Sequence, residues 1–399
     1  RDYGTFKDSK RMPILRWFQY PACYSPKLVY AKIKEHNLEE GAWVFDPFLG
    51  CGTTCLAAKE IGVNSVGIEA HSFVSNIAKV KTDWSYNLSD IKENFELIRK
   101  ERNSQLVIGQ SKKNFDDIPE LLKKCYSSSN LLELLKIKNA VTSSIKEKKQ
   151  QDFFNLALTA TLRLSTSAGT GWPYIAPGKY HGKTEKDCWP VFEKQVMLMF
   201  NDLTQVKQTS LLNNRKSHVK IIEGDSREIQ DIPINSIDLA ITSPPYLNNF
   251  DYADRTRLET YFFGLSKNWK DITENVRNKL MVSATTQVLR HNFEAEKSLS
   301  NDIKIANPIL YEELTNKIIQ LSDLRNTKGG KKSYDIMVAE YFNGIFPILR
   351  NTYSYVKKGG AFVLVLGDSA PYGVHIPTDL FISEFGKSVG FKRSTIEVI

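Results

Sequence analysis

The chain has 399 residues, 41% of them hydrophobic, and a mean hydropathy of −0.34, enough to bury one large core or two domains. Its formal net charge of +9 and pI near 9.0 favour a polyanionic partner. No apolar run approaches membrane-spanning length, the N-terminus is not a secretory signal, and cysteines 23, 51, 55, 125 and 188 form neither a disulfide framework nor a zinc spacing; a reducing cytoplasm is the expected home.

The first predicted strand is Trp43–Asp46, followed by Pro47-Phe48-Leu49-Gly50-Cys51-Gly52-Thr53-Thr54. Gly50 and Gly52 allow a tight turn and close approach by a ligand. The pattern from Thr53 to Ile61 suits a helix, with Thr53 or Thr54 near its N-terminus. Strand, glycine turn and helix open a nucleotide-binding α/β unit. The spacing is neither the dinucleotide fingerprint nor a phosphate loop, so a pyrophosphate fits poorly. Cys51 is expected simply to pack. Ser65–Glu69 reads as the second strand; Glu69 at its tip either holds ribose hydroxyls or is a solvated strand end.

Residues 86–218 exceed what one crossover helix needs. The stretch 88–165 carries Leu, Ile, Lys and Glu at helical spacing, with Ser127–Asn130 as a helix-joining turn. The segment holds about +7 of the surplus charge. It is either a solvated helical domain or a DNA-contacting lobe. Within it, Thr170–Lys183 interleaves glycines, prolines, aromatics and lysines, as a loop near phosphates or bases would, or one covering a core edge.

Val219–Glu223 is the third predicted strand and Ile237–Thr242 the fourth. Thr242-Ser243-Pro244-Pro245-Tyr246 leaves the fourth strand. Pro244 and Pro245 cannot donate backbone hydrogen bonds, so what remains is a rigid platform of a hydroxyl, accepting carbonyls and an aromatic ring. It is a receptor for a flat ring with an exocyclic amine, or a plain strand-ending turn. Asn248–Tyr252, Arg255, Arg257 and Glu259 follow directly and are expected at the pocket mouth. The two arginines either contact phosphate or pair with Asp254 and Glu259. Residues 265–335 form a second, smaller insertion, whose basic loop 324–334 is another candidate for DNA contact or a linker. Met337–Tyr355 has helical periodicity and should pack on the sheet. Lys357–Gly360 reads as a turn into a fifth strand, Ala361–Leu366. Pro377–Val389 reads as a helix stopped by Gly390, and Arg393–Ile399 as a sixth strand. The six histidines show no ligand spacing, so no metal is expected.

Asp-Pro-Phe-x-Gly-x-Gly-Thr-Thr with a later Ser-Pro-Pro-Tyr resembles the S-adenosylmethionine-dependent amino-methyltransferases of DNA. The resemblance covers 12–85 and 219–399 and implies a Rossmann-like α/β methyltransferase sheet with helices on both faces. The core would be 1–85 with 219–399, and 86–218 a largely helical inserted domain for target recognition, with 265–335 as its rival. The resembling fold normally has a seventh strand, antiparallel to its neighbours; either the sequence is cut short or another segment fills that place. Asp46, Phe48, Gly50, Gly52 and Thr53 would wrap the methionine end of the cofactor, Glu69 would bind ribose, and Asp225 and Ser226 would meet the adenine. Residues 16–28 resemble the segment closing over methionine, which carries the same role onto Tyr24 and Ser25.

Exocyclic amines are weak nucleophiles because their lone pair is delocalised into the ring. Acceptors on both amino hydrogens, the Ser243 side chain and the Pro244 carbonyl, would favour a pyramidal nitrogen in the transition state. Tyr246 would stack on the base and hold it in line. A base inside duplex DNA must be flipped out to reach such a pocket. In the resembling family Ser-Pro-Pro-Tyr is commoner among cytosine-N4 enzymes and Asp-Pro-Pro-Tyr among adenine-N6 enzymes, so the resemblance with Ser243 favours cytosine N4 over adenine N6. Guanine N2 of an RNA and a catalytically dead DNA-binding subunit are the other readings. The expected setting is a restriction-modification system, with a cognate restriction endonuclease as a partner.

Overall fold

The computed structural model describes residues 3–5, 7–18, 20, 23–104, 117–169, 175–180, 184–213, 216–327, 329–330 and 332–398. Its strands are β1 (Trp43–Asp46), β2 (Asn64–Glu69), β3 (Ala168–Gly169), β4 (Ala176–Tyr180), β5 (Val219–Glu223), β6 (Ile237–Thr242) and β7 (Val356–Leu364). Five of them form a parallel sheet in the order β5–β2–β1–β6–β7, and β3 pairs with β4 antiparallel elsewhere. The chain leaves β1 toward β2 and β5, then returns to β1's other side as β6. That reversal between β1 and β6 makes a crevice at the carboxyl ends of the strands.

Helices α1 (Pro26–Glu35), α2 (Thr53–Glu60) and α3 (Ser72–Thr82) belong to the first half. Alternation along the strands sends side chains to opposite faces. Val44, Leu239 and Ile241 pack with Leu28, Val29 and Ile33 of α1 and with Ala57 and Ala58 of α2. Their neighbours Phe45 and Ala240 pack on the far side with Tyr355, whose ring meets Phe45 edge-on at 5.7 Å. Helices therefore cover both faces of a Rossmann-like sheet.

The inserted region supplies α4 (Leu88–Ser104), α5 (Glu120–Cys125), α6 (Ser128–Ser144), α7 (Lys148–Ser165) and α8 (Cys188–Asn213). One apolar cluster runs from Ile77 and Val80 of α3 through Ile91, Leu131, Phe153 and Phe192, so these helices share their core with the sheet's flank. After β6 come α9 (Tyr252–Arg255), α10 (Arg257–Phe262), α11 (Trp269–Asn275), α12 (Asn301–Ala306), α13 (Pro308–Thr327), α14 (Tyr334–Tyr355) and, beyond β7, α15 (Thr378–Val389). The predicted stripe Met337, Tyr341, Ile345 and Leu349 is buried in a second cluster, against Ile303, Leu314 and Ile318 and against Phe381 and Phe385.

Two expectations at the C-terminal edge need correction. Lys357–Gly360 is not a turn before the strand. β7 begins at Val356, opposite Ile237, and resumes pairing at Ala361 opposite Leu239, so these residues form a bulge inside it. Gly359 takes φ +85° there, and Lys357 Nζ donates to Asp238 Oδ1 at 2.7 Å. Nor is Arg393–Ile399 a strand among the described residues: 391–398 is irregular. Phe391 anchors it on Tyr353 and Phe362 at 5.1 and 6.1 Å, but the polar run that follows is exposed and offers no apolar face to a sheet. Most of the 170–183 loop, including Trp172 and Tyr174, lies outside the described residues.

Candidate active site

β1 and β6 are parallel neighbours, with Val44 opposite Leu239 and Phe45 opposite Ala240, so Asp46 and Thr242 end side by side. Asp46 is 1% exposed, and its carboxylate joins the two sequence motifs. It accepts from the Thr242 hydroxyl at 2.5 Å, the Phe48 amide at 3.0 Å and the Tyr24 hydroxyl at 3.4 Å, and from the Thr54 hydroxyl. Burial raises its pKa, while these donors favour the ionised form. Asp46 does not line the cleft; it ties the glycine loop to Thr242, just before the Ser-Pro-Pro-Tyr segment.

The loop crosses the strand ends with Gly50 at φ +55° and Gly52 at φ +93°, conformations that favour glycine. A Cβ on Gly50 would meet nothing within 4 Å, so the loop leaves open space on that side. Glu69, at the end of β2, accepts from Gly50 N and from His71 N, both at 2.8 Å, one on each oxygen. Each oxygen keeps lone-pair capacity for a second donor. Burial pushes the Glu69 carboxyl up to about 7, against the pull of those two amides.

A cleft opens over these strand ends, with about 860 Å³ of empty space counted together with its open mouth. Tyr24, Phe48, Gly50, Thr53, Glu69, Asp225, Ser226, Ser243 and Pro245 all line it. Segments far apart in sequence thus share one cleft. Ser25, Asp46, Gly52, Pro244 and Tyr246 do not line it. Ser25 instead caps α1, accepting from Lys27 N at 3.3 Å and donating to Asp8 at 2.6 Å. Asp225 lines the cleft, but its carboxylate is already engaged by the guanidinium of Arg227 at 2.6–3.0 Å.

Ser243 donates to the Tyr246 hydroxyl at 3.1 Å. The Tyr246 ring lies beside Gly367, where a Cβ would make ordinary van der Waals contact with Cδ2 at 3.6 Å. Burial raises the Tyr246 hydroxyl above its ordinary range, with the Ser243 bond pulling it down.

Tyr252, expected at the pocket mouth, lines the cleft, and so do Tyr20, His71 and Lys279–Met281, which sequence reasoning did not single out. Tyr20 lies in the closing segment and His71 just beyond Glu69, so position alone could have flagged both. Lys279–Met281 arrives from the second insertion and carried no local signal. His71 is 2% exposed, contacts Thr256 Oγ1 through Nε2 at 2.7 Å, and is held neutral by burial, its pKa pushed down to about 3. Arg257 pairs with Asp254 at 3.0 Å, whereas Glu259 is taken by Arg163 of α7, and buried Arg255 makes no ion pair with either carboxylate among the described residues. Among the described residues no group of His, Cys, Asp or Glu is arranged to hold a metal ion, and no helix is long and apolar enough to cross a membrane.

The sequence model of a DNA methylase family, of N6/N4 type, matches residues 3–80, which span the glycine loop and Glu69. Full-length relatives include the Type II methyltransferase M.BsoBI of Geobacillus stearothermophilus, 26% identical over 98% of this chain and 81% of that protein. Another is the Type II methyltransferase M.AvaI of Nostoc sp., 23% identical over 100% of this chain and 83% of its own length. A third, M.MvaI of Kocuria varians, is 21% identical over 93% of this chain and 80% of that protein.

Proposed function

We propose that the chain is a member of the N6/N4 DNA methylase family and a Type II DNA methyltransferase that methylates the exocyclic N4 of cytosine. The donor is S-adenosylmethionine and the target base is flipped out of duplex DNA. A prokaryotic cytoplasm is the setting, and a restriction endonuclease of the same specificity is the expected companion. The observation that carries the reading is the 2.5 Å bond from Thr242 to Asp46, which fixes the glycine loop and the Ser-Pro-Pro-Tyr platform on one cavity.

The cleft fits the donor: a glycine loop with open space above Gly50, a strand-end carboxylate with spare acceptor capacity, and an apolar wall of Phe48, Ile68 and Ile348. Bound there, S-adenosylmethionine supplies an electrophilic methyl. Glu69 accepts from the ribose hydroxyls. Asp225, held by Arg227, presents its remaining acceptor capacity to the adenine amino group. Ser243 turns its proton toward Tyr246, which leaves an Oγ lone pair to accept one hydrogen of the target amine, and the Pro244 carbonyl accepts the other. Tyr246, beside Gly367, positions the base. A neutral serine at 243, in a family where it accompanies cytosine-N4 activity, supports N4 over adenine N6.

The test is nucleoside mass spectrometry on DNA and RNA after incubation with S-adenosylmethionine. N4-methyldeoxycytidine is the expected product. N6-methyldeoxyadenosine would move the specificity, label confined to RNA would replace the substrate class, and no label across a broad DNA panel would support a binding subunit.

A further inference from the structure

Cys23 and Cys51 meet beside the cleft. Cys51 lies between Gly50 and Gly52, while Cys23 belongs to the segment before α1 and lines the large cavity. Their sulfurs are 3.2 Å apart, and both are free thiols. A second, smaller pocket is lined by both cysteines and Thr53.

Beneath them lies Lys81, 0% exposed. Its ammonium donates to the carbonyls of Leu15 at 3.1 Å and Phe18 at 3.3 Å, and no ion pair with a carboxylate is recorded for it among the described residues. A buried ammonium needs a counter-charge. The Cys51 sulfur supplies it: the hydrogen bond from Cys23 holds the Cys51 thiol below its usual range, with Lys81 adding to the pull against burial. The N-terminus of α2 follows immediately and favours the same anion. Cys23 keeps its proton, its thiol raised by its bond to Cys51 and by burial.

We propose that Cys23 and Cys51 form a reversible disulfide under peroxide, and that this bond gates the cofactor cleft. The Cys51 thiolate attacks one peroxide oxygen; an S–O bond forms, the O–O bond breaks, and hydroxide leaves to become water. Cys23 sulfur then attacks the Cys51 sulfenic acid; an S–S bond forms and the hydroxyl leaves as water with the Cys23 proton. Two thiols and one hydrogen peroxide give one disulfide and two waters. The sulfurs must close to about 2.05 Å, which draws the closing segment onto the glycine loop. The thiolate opposite Lys81 is also lost, so an uncompensated positive charge remains beneath the site. The cationic sulfonium of S-adenosylmethionine should feel that charge more than the neutral thioether of S-adenosylhomocysteine.

The gating half rests on the proposed cofactor; the disulfide half does not. The full-length protein is treated with hydrogen peroxide, digested without reduction, and mapped by mass spectrometry. A cross-linked peptide joining Cys23 and Cys51, reversed by dithiothreitol and absent in Cys51→Ser, is expected. Free thiols, or a sulfinic acid without the cross-link, would overturn the proposal, and reversal in the wild-type protein keeps the test valid if Cys51→Ser folds poorly. In titrations of the oxidised protein, S-adenosylmethionine should bind at least tenfold more weakly, S-adenosylhomocysteine less affected, and dithiothreitol should restore both. Equal affinities before and after cross-linking would overturn the gate alone. Absence of S-adenosylmethionine binding in the reduced protein would instead refute the cofactor reading, with the cross-link still scored on its own.

Discussion

The strand-end cleft and the inserted helices are built by different physics. In the cleft, buried polar groups are bonded across the chain, as with Asp46 to Thr242 and Glu69 to Gly50, and the motifs around them are short and local in sequence. In the insertion, stability comes from an extended apolar cluster continuous with α3, with polar bonding concentrated at a few ion pairs. The difference teaches why short strand-end motifs are easier to read from sequence than the role of a helical lobe. A site that holds a cofactor needs particular residue types at fixed spacing, whereas a helical lobe needs only apolar periodicity on one side and leaves its other side free to vary.

The contact between the regions is the first place to press. Glu259 of α10 is fully buried and paired with Arg163 of α7. Glu259→Ala strands that guanidinium in a poorly solvated place and should cost about 3–5 kcal/mol, read as a lower urea midpoint. A loss below about 0.5 kcal/mol, the level of a surface substitution, would show that the pair does not join insertion to core.

Within the cleft, Tyr246→Ala should lower turnover by about 100-fold through lost positioning. Cofactor affinity should hardly change, because Tyr246 is not among the residues lining the cavity. Equal loss of both, by kinetics and calorimetry, would contradict the separation of the two roles.

Glu69→Gln should weaken S-adenosylmethionine binding by about 1.5–3 kcal/mol. The same residue gives the site a pH signature. Its carboxyl is raised to about 7 in the folded protein, so the folded chain holds a proton that the unfolded chain has released above the ordinary carboxylate range. This group therefore removes stability as pH climbs from that range toward 7, while the ionised form that ribose needs accumulates. Cofactor affinity should tighten as pH rises through 7 and level off above it. Glu69→Gln should flatten both trends; an unchanged pH profile would take Glu69 out of the site.

The smallest single-residue effects belong to the insertion's surface. Its excess of lysine predicts DNA affinity that falls linearly with the logarithm of salt, with a slope of about −0.9 for each phosphate neutralised. Replacing Lys123 and Lys124, in the last turn of α5, with Gln should shallow that slope while leaving cofactor affinity untouched. No change in slope would shift phosphate contact to the 265–335 region.

The sheet was legible because each of its first four strands is a short apolar run with a turn signal at its end, and both motifs sit at those ends. Their meeting follows from β1 and β6 being neighbours, which chain order alone does not state. Lys279–Met281 reaches the cleft through packing of a distant segment, so no local pattern announced it, whereas Tyr20 and His71 lie beside residues the sequence already pointed to. Ser25 matched a family segment by position, yet its hydroxyl serves a helix cap. The C-terminal edge misled for a related reason: Lys-Lys-Gly-Gly is good turn chemistry, and the chain used it for a bulge inside a strand.

The most direct test of the shared cleft is a crystal structure with sinefungin, a stable S-adenosylmethionine analogue whose amine-bearing carbon stands in for the sulfonium. The account predicts its ribose on Glu69 and that amine directed at the pocket beside Ser243, with room for a target nitrogen about 3–3.5 Å from the transferable position. Sinefungin bound elsewhere, or with its amine turned away from Ser243 and Pro245, would contradict it.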